Sequence, residues 1–380
     1  MAKKVLVVDD EEGIRQQLSF VLEDEGYEVE TATNGREAMA NLERQQFDIV
    51  ITDLRMPPPD GMEILRRTKE NYPETVVVMI TGQGSEEMAV EAMRLGADDY
   101  FPKPFDYEKI EEMLMRLNKA VELERLKAEN QLFHRRLERE LDVARKIQQV
   151  LLPQQIPAIT GLSMSTFSQP AKSVGGDYHD LIKLRPGGLG IAIGDVSGKG
   201  MPASLLMANV QASLRRYSES GYSPKEIIHR VNNALCPICQ YIEEHRFITL
   251  FYGMLDPETR KLIYSNAGHN YPLIFRKDGN VCDPLESTGL PCGIVEDSLY
   301  DEAEIGLRSG DVMLFYTDGI TEATDSSGTI FGEERLRNIM LEDLQQDSSS
   351  LVANIHEELV RFIGVTPQED DLTLMVLKVQ

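Results

Sequence analysis

From residue 107 to residue 152 the chain contains neither glycine nor proline, although 28 glycines and 18 prolines punctuate its 380 residues. Those two residues break helices most readily. The uninterrupted run therefore predicts one long helix, about 45 residues at ~1.5 Å each, or roughly 68 Å. Ile110, Leu114, Leu117 and Val121 are spaced 4, 3 and 4 along it. Leu126, Asn130, Phe133 and Leu137 repeat that spacing, and Leu141, Ala144, Ile147 and Leu151 resume it after one extra step of four. A narrow apolar seam on a highly charged helix is a coiled-coil pattern, and the extra step is a stutter. Asn130 in the seam suits a parallel pair of fixed register. A homodimer through this helix is the expectation. The run also divides the chain into an N-terminal domain of residues 1–120, a helical linker of 107–152 overlapping that domain's last helix, and a C-terminal domain of 153–380.

Before the helix, short apolar runs alternate with amphipathic patterns. Lys4–Val8 reads as a strand ending at Asp9-Asp10, after which Ile14, Leu18, Val21 and Leu22 share a helical face. Ile49–Thr52 ends at Asp53, and Val76–Ile80 ends at Thr81-Gly82. Such alternation predicts a doubly wound parallel α/β sheet, which binds ligands at the carboxyl ends of its strands. Asp9, Asp10 and Asp53 converge there. Three carboxylates repel one another, and a hard divalent cation such as Mg²⁺ resolves the conflict. A carboxylate left partly free beside it can attack a phosphoryl donor. Lys103, in Phe101-Pro102-Lys103-Pro104-Phe105, can supply a cation to the phosphate, and Thr81 a hydrogen bond. An Asp pair alone would read as a helix cap. The ordered series of Asp-Asp, strand-end Asp, strand-end Thr and late Lys-Pro reads as a site.

Residues 1 to about 120 resemble the receiver domain of bacterial two-component response regulators. The matching stretches are Val7-Val8-Asp9-Asp10-Glu11, Asp53-Leu54-Arg55-Met56-Pro57-Pro58-Pro59-Asp60-Gly61, Thr81-Gly82 and Lys103-Pro104-Phe105. The resemblance implies a flavodoxin-like fold and phosphorylation of Asp53 by a cognate histidine kinase. It implies Mg²⁺ held by Asp10, Asp53 and the Arg55 carbonyl, with Asp9 acting through water. Thr81 and Tyr100 match the switch pair, and Lys103 the phosphate-binding lysine.

After the helix, Leu189–Ile193, Phe247–Leu255, Lys261–Ser265, Val312–Thr317 and Leu372–Val379 read as strands. Ala203–Tyr217, Pro224–Gln240, Glu333–Leu344 and Leu351–Ile363 read as helices. Closely consecutive strands favour antiparallel pairing. Aspartates recur beside glycine or at strand ends: Gly175-Gly176-Asp177-Tyr178, Gly194-Asp195-Val196-Ser197-Gly198-Lys199-Gly200, Thr317-Asp318-Gly319 and Glu369-Asp370-Asp371-Leu372-Thr373. Carboxylates without clustered His or Cys favour Mg²⁺ or Mn²⁺ over zinc. Two such ions ~3.5–4 Å apart can clamp a phosphoryl group for in-line attack.

Residues from about 145 to 380 resemble the metal-dependent type 2C serine/threonine protein phosphatases, in the bacterial branch of stage II sporulation protein E. Beyond the aspartate motifs, Arg246-Phe247-Ile248-Thr249, Tyr264-Ser265-Asn266-Ala267-Gly268-His269 and Tyr316-Thr317-Asp318-Gly319 carry this likeness. It implies an α+β sandwich of two mainly antiparallel sheets flanked by helices. It implies that Asp195 bridges two Mn²⁺ or Mg²⁺ ions with help from the Val196 carbonyl. Asp177 then holds the second ion, and Asp318 and Asp370 the first, with Asp370 preferred to Asp371. Ser197 stands where eukaryotic members carry a histidine proposed as general acid, so that acid is unassigned, and no basic residue matches their phosphate-binding arginine. His269 could act as an acid near pH 7, but its glycine-rich setting favours a loop-ordering role. The substrate expected from the branch is a phosphorylated regulatory protein such as an anti-sigma-factor antagonist.

A formal charge of −24 argues against a nucleic-acid partner. No apolar stretch reaches the length of a membrane span, and the Met1-Ala2-Lys3-Lys4 start lacks a signal-peptide pattern, so a cytoplasmic protein is expected. Cys236-Pro237-Ile238-Cys239 lies late in a helical pattern that Pro237 is placed to end. A zinc site would also need Cys282 and Cys292, at spacings no common module uses, so inert thiols are expected. The competing function is a non-catalytic, phosphorylation-gated adaptor. Such modules tend to lose metal aspartates, whereas Asp177, Asp195, Asp318 and Asp370 are all present.

Overall fold

The computed structural model describes residues 3–82, 86–104, 107–241, 246–277 and 284–380. The chain forms two units, Met1–Leu137 and Glu138–Gln380. The first contains β1 (Lys4–Val8), α1 (Glu12–Asp24), β2 (Glu28–Ala32), α2 (Gly35–Arg44), β3 (Ile49–Asp53), α3 (Gly61–Asn71), β4 (Val76–Thr81), α4 (Glu86–Arg94), β5 (Asp99–Pro102) and most of α5 (Tyr107–Leu151). Its parallel sheet has the order β2-β1-β3-β4-β5.

Strands covered on both faces need continuous apolar sequence, and β1 supplies it. Val5 and Val7 pack with Leu18 and Leu22 of α1 and with Ile110, Met113, Leu114, Leu117 and Val121 of α5. Leu6 and Val8 pack on the other face with Ala38, Leu42, Ile64, Leu65 and Ala92. The order reverses at β1, so the ligand crevice opens at the carboxyl ends of β1 and β3. Asp9 and Asp53 sit there because each closes or follows one of those strands.

The helical seam is divided. Its first four residues belong to the core of the first unit. That part of the pattern packs on the first unit's own sheet and is not available to a second chain. Leu126, Phe133, Leu137 and Ile147 are exposed, and Asn130 is exposed beside them.

The second unit contains the end of α5, then β6 (Leu162–Gln169), β7 (Tyr178–Lys183), β8 (Leu189–Val196), α6 (Met201–Ser218), α7 (Pro224–Tyr241), β9 (Ile248–Asp256), β10 (Lys261–Ala267), β11 (Leu273–Phe275), β12 (Ala303–Gly306), β13 (Val312–Tyr316), α8 (Asp318–Glu322), α9 (Glu333–Asp343), α10 (Ser348–Ile363) and β14 (Leu372–Val379). Two antiparallel sheets form, β12-β10-β9-β8-β7 and β11-β13-β14-β6. Alternate residues sort the layers. Ile191, Ile193, Phe251, Met313, Phe315, Met375 and Leu377 share the core between the sheets. Their neighbours Ala192, Leu250 and Tyr252 pack against α6 and α7. Leu314, Leu374 and Val376 pack against α9 and α10.

Pro237 does not end α7; it lies inside the helix, which runs on to Tyr241. Leu235, Cys236 and Cys239 are buried on either side of it, and that packing offsets the hydrogen bond proline cannot donate. Burial pushes the Cys239 thiol up to about 11 and the Cys292 thiol up to about 12, so both are protonated and unreactive at neutral pH. Cys282 and Phe105 lie outside the described residues.

Two acidic candidate sites

In the first unit, carboxylate oxygens of Asp9, Asp10 and Asp53 all lie within 4.8 Å of one another. Asp9 and Asp53 are buried, whereas Asp10 faces solvent. Lys103 reaches into the group, with Nζ 2.8 Å from Asp9, 2.9 Å from Asp53 and 3.1 Å from Glu11. Its own N–H donates to the Thr81 carbonyl at 2.7 Å, which fixes the lysine backbone to the end of β4. Burial pushes the Asp9 carboxyl above its ordinary value, against the pull of Lys103 and the Glu11 N–H. Burial likewise opposes the charge on Lys103, but the hydrogen bonds it donates to Asp9 and Asp53 outweigh it and hold the ammonium above its usual range. The Arg55 N–H donates to Asp53 at 3.2 Å, turning the chain at the strand end. Thr81 is buried at the end of β4, while Tyr100 on the neighbouring β5 is 42% exposed. The donors are all oxygen and one face is open, which suits a hard divalent cation that keeps several waters.

The second site straddles the two sheets of the second unit at one end. Asp177 precedes β7 and Asp195 lies at the end of β8, in one sheet; Asp318 follows β13 and Asp370-Asp371 precede β14, in the other. The Thr317 hydroxyl donates to Asp177 Oδ2 at 2.8 Å and joins the two halves. The adjacent aspartates face different ways. Asp371 accepts the N–H groups of Ala171 at 2.8 Å, Gly176 at 2.6 Å and Asp177 at 3.4 Å. Asp370 meets the Lys199 ammonium at 2.9 Å. Two glycines make room for this: a Cβ on Gly175 would lie 2.5 Å from Asp371 Oδ2, and one on Gly319 would lie 2.0 Å from the Asp371 carbonyl oxygen.

The electrostatics ask for cations. Burial, then the charges of Asp318, Asp370 and Asp371, push the Asp195 carboxyl up to about 7. Burial and Asp195 push Asp177 well above the carboxylate range, and burial and Asp370 raise Asp318. These oxygen donors are spread more widely than the first set, whose mutual 4.8 Å approach no other group of three matches among the described residues. Their all-oxygen chemistry suits divalent cations of the Mg²⁺ or Mn²⁺ kind.

Ser197 and His269 are both engaged elsewhere. The Ser197 hydroxyl accepts the Phe247 N–H at 2.9 Å. His269 is buried, its Nδ1 lies 2.9 Å from the Thr249 hydroxyl, and its N–H donates to Asn266 at 2.8 Å. Burial pushes its imidazole down to about 4, so it is neutral at pH 7 and orders the loop.

One contributor has no signal in the local sequence. Gln148, near the end of α5, donates to the Gly175 carbonyl at 2.7 Å and accepts the Gly175 N–H at 3.0 Å. Arg145, one turn earlier, donates to the Ser173 carbonyl at 3.0 Å. The helix end thus holds the loop that carries Asp177.

The sequence profile of stage II sporulation protein E (SpoIIE) matches residues 185–380, and that of the response regulator receiver domain matches residues 5–115. Phosphoserine phosphatase RsbU of Bacillus subtilis (strain 168) is 30% identical over 239 residues, which cover 63% of this chain and 70% of that protein. Regulatory protein AtoC of Escherichia coli (strain K12) is 36% identical over 134 residues, 35% of this chain and 28% of that protein. The SiaA PP2C domain of Pseudomonas aeruginosa superimposes with a TM-score of 0.58 at 21% identity, covering 65% of this chain and 98% of that domain, which supports the fold. The SpoIIE match takes in just over half of the chain, and with the receiver match and the two-sheet architecture it shows that the chain belongs to the SpoIIE family, as a type 2C protein phosphatase carrying a response regulator receiver domain.

Proposed function

We propose that a histidine kinase phosphorylates Asp53 and that this controls dephosphorylation of phosphoserine or phosphothreonine on a small regulatory protein, an anti-sigma-factor antagonist. The observation that carries the catalytic half is the gathering of Asp177, Asp195, Asp318 and Asp370 at one end of the two sheets, joined by the Thr317–Asp177 bond, where burial and the neighbouring charges push the Asp195 carboxyl up to about 7. Such a cluster is costly without cations and is suited to holding them. Asp195, helped by the Val196 carbonyl, would serve both of two Mn²⁺ or Mg²⁺ ions, with Asp177 holding the second and Asp318 with Asp370 the first. Bound there, the ions supply Lewis-acid activation of the phosphoryl group and of water. Thr317 holds Asp177 in place, and Asp371 shapes the loop through its three N–H bonds. No side chain forms a covalent intermediate with substrate in this reading.

In the receiver, Asp10, Asp53 and the Arg55 carbonyl would hold Mg²⁺, with Asp9 linked through water. A carboxylate oxygen of Asp53 attacks the phosphorus of the kinase phosphohistidine; the N–P bond breaks and an acyl phosphate forms. Lys103, whose ammonium lies 2.9 Å from Asp53, and the Thr81 hydroxyl would take its oxygens, and Tyr100 on the adjoining strand would respond. The added charge biases a two-state surface. The continuous helix α5 is the route from one unit to the other. Its exposed residues Leu126, Phe133, Leu137 and Ile147 support a homodimer through the linker. No helix among the described residues is long and apolar enough to cross a membrane, in keeping with a cytoplasmic site of action.

The test is turnover of a small phosphoryl ester and a phosphoserine protein with Mn²⁺ or Mg²⁺, in the wild type and Asp195→Ala, with and without receiver phosphorylation. Metal-dependent turnover that Asp195→Ala abolishes is the expected result. Absence of both turnover and metal uptake would move the reading to a phosphorylation-gated adaptor.

A further inference from the structure

The loop after β8 carries a feature that the metal ligands do not account for. Lys199 stands between Gly198 and Gly200, which have φ values of +85° and +83°. Its ammonium lies 2.9 Å from Asp370 Oδ2 and also donates to the Glu369 carbonyl. The lysine side chain is 35% exposed and Asp370 is 39% exposed. Both line a cavity of about 150 Å³ together with Glu322, Thr324 and Gln368. The charge of Lys199 also pulls the Asp318 carboxyl downwards, against burial and Asp370. A positive charge therefore already sits on the carboxylate pair assigned above to the first ion.

We infer that Lys199 is an internal counter-ion, which occupies the Asp370 side of the metal site when metal is absent and must leave before that position fills. This rests on the phosphatase reading of the aspartates. A lysine ammonium and a divalent ion cannot share one carboxylate oxygen at contact distance without strong repulsion. The ammonium is the weaker partner, because a partly exposed ion pair is worth at most about a fivefold preference. Its flexible stem and the glycines on either side let it swing into the open cavity. The lysine thus keeps the acid cluster folded without metal and makes metal loading a competition.

The experiment is calorimetric titration of Mn²⁺ into the metal-free full chain, comparing wild type, Lys199→Met, Lys199→Arg and Lys172→Met. Lys172 is a control for the general field. Its Cδ lies 3.9 Å from where a Cβ on Gly200 would stand, so it is a nearby charge. Lys199→Met should bind Mn²⁺ roughly two- to fivefold more tightly, Lys199→Arg should bind close to wild type, and Lys172→Met should change little. Zero-length carbodiimide coupling gives a second readout. A Lys199–Asp370 amide should form in the metal-free protein, with the lost water taken up by the carbodiimide, and saturating Mn²⁺ should suppress it. Equal gains for Lys199→Met and Lys172→Met would reduce the effect to the general field and overturn the inference, as would a cross-link indifferent to Mn²⁺. Failure of the phosphatase reading looks different: the wild type would take up Mn²⁺ without turning over a phosphoserine protein.

Discussion

The side-chain amide of Gln148 grips the peptide of Gly175 on both sides, donating to its carbonyl at 2.7 Å and accepting its N–H at 3.0 Å. Gly175 is two residues from Asp177, and the Gly176 N–H is bound to Asp371 at 2.6 Å. A small rotation of the α5 end would therefore reach Asp371 and the loop that carries Asp177 through one peptide. Gln148→Ala removes two hydrogen bonds worth about 1 kcal/mol each. The expected result is Mn²⁺ half-saturation of turnover weakened by up to about thirtyfold, with phosphoryl uptake on Asp53 unchanged. Gln148→Glu keeps the acceptor but loses the donor and should fall between the two. Mn²⁺ titration of turnover beside acetyl-phosphate labelling of the receiver checks this, and an unaltered metal curve in Gln148→Ala would exclude the clamp as a positioning contact.

Lys103 has the opposite character, because it is an ion pair shut away from water. Its side chain is 13% exposed, and those of Asp9 and Asp53 are 0% and 8% exposed. Removing one partner of a buried pair leaves an uncompensated charge and costs about 3–5 kcal/mol. Lys103→Met should lower the urea midpoint of the receiver accordingly in metal-free buffer. Millimolar Mg²⁺ should restore part of the loss, since the cation takes over neutralisation of Asp9 and Asp53. A midpoint indifferent to Mg²⁺ would count against that metal site.

Much of this architecture can be read from the residues, and the exceptions have physical causes. β1 and β14 are visible because nearly every residue in them is apolar and buried. β6 is hidden because it is an edge strand with a half-buried, largely polar sequence, Leu162-Ser163-Met164-Ser165-Thr166-Phe167-Ser168-Gln169. β7 is hidden because it buries Asp180, a residue tolerated through Arg215 at 2.7 Å, the Tyr178 hydroxyl at 3.0 Å and the Leu181 N–H at 2.9 Å. The aspartates are visible as strand-end motifs, but which of Asp370 and Asp371 faces the site depends on N–H groups some 200 residues away. Gln148 could not be found from spacing, since its partner is a backbone peptide in another element. The seam misleads at its start for a related reason: periodicity reports an apolar face and not the partner that covers it.

Acid should weaken the folded state through its buried imidazoles. Burial pushes both His179 and His269 down to about 4, whereas an unfolded histidine titrates near 6.5. Between those values the unfolded chain binds protons that the fold refuses, so stability is full above pH 6.5 and falls as pH drops towards 4. Each histidine is worth about 3 kcal/mol over that window. Asp195 works in the other direction in metal-free protein. Its carboxyl is pushed up to about 7, so the fold binds its proton first and gains stability as pH falls through 7. The comparison must therefore be between wild type and His269→Gln, in which the Asp195 contribution cancels. Urea midpoints at pH 7.5 and 5.0 should differ less in the variant. An equal difference in both proteins would show that His269 is not held neutral by burial.

The exposed stretch of α5 makes a claim about assembly. Leu126, Phe133, Leu137 and Ile147 are 52%, 63%, 43% and 60% exposed in the single chain. Burying a side chain of this size stabilises by about 1.5–3 kcal/mol, and a twofold seam counts each residue twice. The wild type should therefore be a dimer at micromolar concentration, and Phe133→Glu should dissociate it by placing two like charges in the seam. Leu137→Pro should break the helix beside the stutter at a cost of about 3 kcal/mol. Both variants should still accept a phosphoryl group on Asp53, because the receiver core uses only Ile110, Leu114, Leu117 and Val121 of the seam. Neither should transmit it: turnover in each should be the same with and without receiver phosphorylation. Sedimentation equilibrium and phosphorylation-dependent turnover measure the two halves separately. A Phe133→Glu protein that is still dimeric would place the contact elsewhere, and a Leu137→Pro protein that still responds to phosphorylation would remove α5 as the route of control.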